Sequence, residues 1–92
     1  MHLFESLASD EFWKHYKALP KEVQLLGDKA YRLFAQNHDH TSLQFKKVGK
    51  KQTIYSARVT DFYRALCYID GDKAYWFWIG NHNSYDRLIR NV

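Results

Sequence analysis

Apolar and polar positions change their period once along the chain, near residue 38. Before that point apolar residues recur at helical spacing: Phe12, Trp13, Tyr16 and Leu19, then Val23, Leu26, Ala30, Leu33 and Phe34. Ser9 is an N-cap candidate, and Asp10 and Glu11 place negative charge in a first turn, where the helix dipole favours it. Pro20 ends this helix and opens the next, a position where its missing N–H does no harm. The stretch "ALPKEV" therefore reads as the corner of a helical hairpin.

After "NHDHTS" the period changes from helical to alternating, most clearly in 53–59. "LQFKKV" (43–48), "TIYSARV" (53–59), "FYRALCYID" (62–70) and "AYWFWIG" (74–80) predict four strands. The links "GKKQ", "TD" and "DGDK" are short, which favours antiparallel neighbours. The last two strands are almost continuously apolar, so they are expected at the centre, covered on both faces. In 53–59 the residues Tyr55, Ala57 and Val59 share one side, expected to pack on the hairpin. Ile54, Ser56 and Arg58 share the other, expected to present Arg58 to solvent. A short helix from Ser84 to Arg90 closes the chain. The predicted class is α+β: an N-terminal helical hairpin on a small four-stranded, mainly antiparallel twisted sheet, with a short C-terminal helix, in one domain spanning 1–92.

Composition narrows the setting. Hydrophobic residues make up 46% and charged residues 26%, an ordinary globular balance without a disorder signature. The single cysteine, Cys67, lies inside an apolar run, which predicts a buried, inert thiol in a reducing cytosol. No apolar stretch approaches the ~20 residues that span a bilayer, and "MHLFESLASDEF" lacks the flanks of a secretion signal. A cytoplasmic protein without a membrane contact is expected. The net charge of +4 resides wholly in 38–69, where Lys46, Lys47, Lys50, Lys51, Arg58 and Arg64 outnumber Asp39 and Asp61. A neutral scaffold carrying one basic segment points to a polyanion.

Hairpin, small sheet, a "YR" opening a central strand and a histidine after the last strand form a pattern. It resembles the RelE/ParE superfamily of type II toxin–antitoxin toxins, on its RelE-like, mRNA-interferase branch. "YSARVTDFYRALCYI" is similar to the family's strand–turn–strand with an arginine on each side, and "WIGNHNSYD" to the G-x-H ending of its RNase members. "HTSLQFKKV" resembles the family's His-Pro-x-Leu approach to the sheet, with Thr41 at the proline. Of the family's first strand only "HLF" offers a trace.

The resemblance implies a metal-independent endoribonuclease without a cofactor. Its 2′-OH attack on the adjacent phosphate would cut mRNA, on the ribosome, and its partner would be a cognate antitoxin. That chemistry needs a proton acceptor, cations for the developing charge and an acid for the departing oxygen. Arg64 falls on the "YR" position and would hold phosphate oxygens; the other reading is an ion pair with Asp61 or Asp86. His82 would be the acid, or else a surface residue or helix cap. Tyr85 would stack on a base or bond the phosphate, or else pin the C-terminal helix. His40 matches the base position, with Asp39 in reserve. Lys46, Lys47 and Arg58 would contact RNA. Two histidines two apart in "HDH" give no further ligand pattern, so no metal site is expected, and His2, His15 and His38 receive no role. Two rivals share the pattern: a ParE-like gyrase inhibitor and a non-catalytic RNA-binding module.

Overall fold

The computed structural model describes residues 4–50 and 53–92. In chain order these form β1 (Glu5–Ala8), α1 (Asp10–Lys17), α2 (Lys21–Gln36), a 3-10 turn (Thr41–Leu43), β2 (Lys46–Lys47), β3 (Ile54–Thr60), β4 (Tyr63–Asp70), β5 (Lys73–Asn81) and α3 (His82–Ile89). The strands make one five-stranded sheet in the order β1-β5-β4-β3-β2, antiparallel except where β1 pairs parallel with β5.

The hairpin follows its sequence signals. Ser9 caps α1 by accepting from the Phe12 N–H, and Asp10 and Glu11 occupy the first turn. Pro20 stands one residue earlier than in the expected first turn, as the N-cap of α2. The central strands are β5 and β4, as their continuous apolarity predicts. Two departures concern the edges. The expected strand 43–48 shrinks to Lys46–Lys47, because Leu43 turns into the core at 2% exposure and Gln44 adopts φ 45, which ends extension on that side. A fifth strand, β1, begins just after Phe4; of "HLF", His2 and Leu3 lie outside the described residues. It is held by four residue pairs to β5 and by the Trp76 indole N–H, which donates to Ser6 Oγ at 3.3 Å.

Both faces of the sheet are covered, and a bulge sorts the large rings between them. Leu66 faces Trp78 and Cys67 faces Trp76, so Phe77 has no partner on β4. The extra residue turns two tryptophans that would share a face onto opposite ones. Trp76 joins Phe34, Leu43, Ala57, Ala65 and Ile79 beneath the hairpin; Trp78 joins Ile54, Leu66 and Tyr85 beneath α3. The Ile54 side of β3 is thus buried by α3, with Ser56 only 1% exposed, which corrects the solvent-facing reading of that side. His38 is likewise drawn inward: its ring lies 4.9 Å from Phe4 and 5.9 Å from Phe45, an aromatic nest rather than a solvent position. Cys67 is fully buried, and burial pushes its thiol up to about 12. No described helix is long and apolar enough to cross a membrane.

Candidate active site

The C-terminal ends of β3 and β5 and the start of β4 meet at one end of the sheet. Arg58 pairs with Arg64 across β3 and β4, and Arg64 with Gly80 across β4 and β5. The register shift between Arg58 and Thr60 is a bulge beside the turn, a common device for re-aiming side chains. From β5 the chain passes directly into α3. Asn81 is its N-cap, accepting from the Ser84 N–H at 2.9 Å, and the His82 N–H donates to the Phe62 carbonyl at 2.8 Å. His82, Arg64 and Arg58 are therefore gathered at one rim by backbone pairing alone.

The partners at the rim separate the cations. Arg58 donates from Nε and Nη2 to Asp61 Oδ1 at 3.2 and 2.6 Å, and from Nη1 to the Ser42 carbonyl at 3.4 Å. The hydrogen bond and charge of Arg58, with a smaller contribution from Arg64, hold the Asp61 carboxyl below its ordinary value. Asp86 is taken by His82, whose Nε2 lies 3.3 Å from Oδ2. Both carboxylates proposed as partners of Arg64 are thus engaged elsewhere. Among the described residues Arg64 bonds only carbonyls, those of Thr60 at 2.5 Å and Tyr63 at 3.1 Å. Among the described residues no carboxylate is bonded to its guanidinium, although Asp61 feels its charge.

The histidines are oriented by their neighbours. Nδ1 of His40 accepts the Ser42 N–H at 3.2 Å and meets Ser42 Oγ at 2.8 Å. With that lone pair engaged, a neutral ring carries its proton on Nε2 and presents a donor. This geometry suits holding a phosphate oxygen rather than accepting the 2′-OH proton, the role expected of His40. Nδ1 of His82 is shut off from solvent and has no hydrogen-bond partner among the described residues, so exchange with a ligand runs through Nε2. Tyr85 takes the second of its two readings. At 5% exposure its ring cannot stack on a base, and its hydroxyl donates to Ser56 Oγ at 3.1 Å inside the α3 core. It pins the helix.

Lys46 and Lys47 are both exposed on edge strand β2, but Lys46 pairs with Ser56 and Lys47 with Tyr55, so they face opposite sides. By register only Lys46 shares a face with Arg58 and Arg64. No three described His, Cys, Asp or Glu side chains come together as a metal would require.

The model of the ParE-like toxin domain family matches residues 21–87. The chain belongs to this family. The ParE-like toxin domain thus runs from α2 to the last turns of α3, taking in the whole rim. No curated protein matches the chain in sequence. Solved structures do match in shape. A chain of the RelB-RelE antitoxin-toxin complex from Methanococcus jannaschii superposes with a TM-score of 0.68 at 19% identity, covering 89% of this chain and 96% of that one. A chain of the toxin-antitoxin complex RelBE2 from Mycobacterium tuberculosis gives 0.64 at 16%, covering 87% and 99%. YafQ from E. coli gives 0.66 at 10%, covering 89% and 97%. At such identities these are likenesses of fold.

Of three supporting residues at the ParE-like rim, Ser42 and Phe62 carry no role in the sequence reading and Asp86 carries a different one, as a partner of Arg64. Ser42 fixes the His40 ring, Asp86 holds Nε2 of His82, and Phe62 accepts the His82 N–H through its carbonyl. The i,i+4 spacing of His82 and Asp86 is a visible signal once a helix starting at His82 is assumed. The bond to Phe62 depends on strand register and leaves no local trace.

Proposed function

We propose that this ParE-like domain is the toxin of a toxin–antitoxin pair and acts as an mRNA endoribonuclease at the sheet end. Attack by a ribose 2′-OH on the adjacent phosphorus forms the new P–O bond, the P–O5′ bond breaks, and a 2′,3′-cyclic phosphate and a 5′-OH result. The observation that carries the reading is Arg64: an arginine on a central strand, without a carboxylate partner among the described residues, at the same sheet end as an imidazole held by Asp86. Its planar fork suits two phosphate oxygens as charge develops on them. His40 offers an N–H to the same charge. His82, once Asp86 yields, delivers a proton from Nε2 to the departing oxygen, while the 2′-OH proton passes to water.

An antitoxin partner is supported by the structure's open apolar side. A cavity of about 420 Å³ lies between hairpin and sheet, lined among others by Phe12, Trp13, Tyr16, Tyr31, Phe34 and Trp76. Trp13 and Tyr31 remain 46% and 50% exposed, apolar surface that a partner segment would cover. The solved chains from M. jannaschii and M. tuberculosis come from toxin–antitoxin complexes. The resemblance adds ribosome-bound mRNA as the substrate and the cytoplasm as the setting.

A gyrase-inhibiting toxin is the second reading, favoured by the ParE-like character of the family. Induced expression followed by primer extension on cellular mRNA decides between them. New 5′ ends that vanish with His82→Ala in a folded protein are expected. Intact transcripts together with blocked DNA supercoiling would replace the nuclease by the gyrase inhibitor.

A further inference from the structure

Phe62 occupies the turn between β3 and β4 and is 73% exposed, more than any other large apolar residue described as exposed. An isolated exposed apolar residue is ordinary, but this one is held from both sides. Its N–H donates to Thr60 Oγ1 at 3.1 Å, and its carbonyl accepts the His82 N–H at 2.8 Å. The backbone beneath the ring is thus fastened to the first residue of α3, while most of the side chain stays open to solvent. Its sequence neighbours are Asp61, which pairs with Arg58, and Tyr63, whose carbonyl receives Arg64. A largely exposed aromatic side chain on an anchored backbone therefore projects from the rim that carries the cations.

We propose that the Phe62 ring is the platform on which a nucleobase of single-stranded RNA stacks, next to the phosphate held by Arg64. The proposal rests on the reading of this rim as an RNA-cleaving site and adds the means by which the strand is seated. Arginine and imidazole can grip a phosphate but leave the nucleoside free to rotate. A stacking ring fixes the base plane and so sets which linkage lies over Arg64. Every base has a π-face, so the platform tolerates sequence, and it selects unpaired RNA because duplex bases are already stacked.

The test uses the full chain with Phe62→Ala, Phe62→Leu and Phe62→Trp. An exposed position makes folding losses small, and unfolding midpoints equal to wild type check this. Binding is read with a fluorescent single-stranded 2′-O-methyl oligoribonucleotide, which cannot supply the attacking hydroxyl, and cleavage with the unmodified oligonucleotide. Phe62→Ala and Phe62→Leu are expected to weaken binding by ~5- to 150-fold, the span of one lost stacking contact, whereas Phe62→Trp holds wild-type affinity. A duplex RNA should show no difference among the variants. Wild-type affinity in both Ala and Leu variants overturns the platform, even if the protein cleaves RNA. Phe62-dependent binding without cleavage by wild type supports the platform and sinks the nuclease reading alone. Loss of antitoxin binding with RNA binding intact assigns the ring to a protein contact and overturns the proposal.

Discussion

The hydroxyl of Tyr85 donates to Ser56 Oγ at 3.1 Å across 29 residues of sequence, tying α3 to the middle of β3 inside the core. Both groups are buried, so each satisfies the other where water cannot. Tyr85→Phe strands the serine hydroxyl and is expected to cost ~1 kcal/mol of stability, whereas Tyr85→Ala also opens a cavity and costs ~3–5 kcal/mol. Denaturant unfolding measures both. RNA cleavage by folded Tyr85→Phe should equal wild type; a large loss would return the phenol to the chemistry.

That bond also marks how far the sequence could be read. The hairpin and the three long strands are legible because each repeats its period over several turns or pleats, as Phe12 to Phe34 and Ile54 to Thr60 do. Arg64 and His82 stand out as candidates because their short motifs lie at element ends. What the pattern leaves out is set by distant pairing. β1 has four residues with no alternation and exists because β5 offers a parallel edge. Whether Tyr85 faces RNA or Ser56 depends on a strand far upstream. Whether His40 accepts or donates depends on a hydrogen bond to Ser42. The bulge at Phe77 that divides Trp76 from Trp78 is invisible in a run where every residue is apolar.

Arg64 donates to two backbone carbonyls and no carboxylate among the described residues, so its substitution should affect chemistry more than folding. Arg64→Ala is expected to raise the barrier at saturating RNA by ~2–4 kcal/mol, read in single-turnover kinetics. Arg64→Lys keeps the charge but loses the planar fork, and should recover only part of this. An effect confined to KM would make Arg64 a binding residue instead.

Asp61 restrains Arg58, and both sit at the rim. Because Arg58 holds the Asp61 carboxyl below its ordinary value, the pair persists above the usual carboxylate range and opens as pH falls through the lowered value. Asp61→Asn removes the negative charge at every pH. It is expected to tighten RNA binding and to steepen its salt dependence by ~0.7 per newly contacted phosphate on a single strand. An unchanged slope in a salt titration would show that Arg58 never reaches the backbone.

Cys67 is fully buried and its thiol is pushed up to about 12 by burial, so it remains protonated through the neutral range. Native protein should resist a maleimide at pH 8 and react only after denaturation. Rapid labelling under native conditions would mean that the β4–β5 centre opens far more readily than its packing implies.

Gly80 carries the junction between β5 and α3, and the reason it is glycine lies in Trp78. A methyl carbon at Gly80 would stand 2.5 Å from Cζ2 and 2.9 Å from Cη2 of the Trp78 ring. That ring is 8% exposed and packed with Ile54, Leu66 and Tyr85, so it cannot swing aside without disturbing the seat of α3. Gly80→Ala is therefore expected to cost ~1–3 kcal/mol, the range for overpacking a core. Relief by a shift of β5 would move the residues on either side of Gly80, its cross-strand partner Arg64 and, two residues on, His82. The variant should lose activity under conditions where it remains folded. Trp78→Phe, which removes the clashing indole atoms Cζ2 and Cη2, should recover much of that activity in the double variant. If Gly80→Ala is as stable and as active as wild type, the close approach of this ring does not fix the rim.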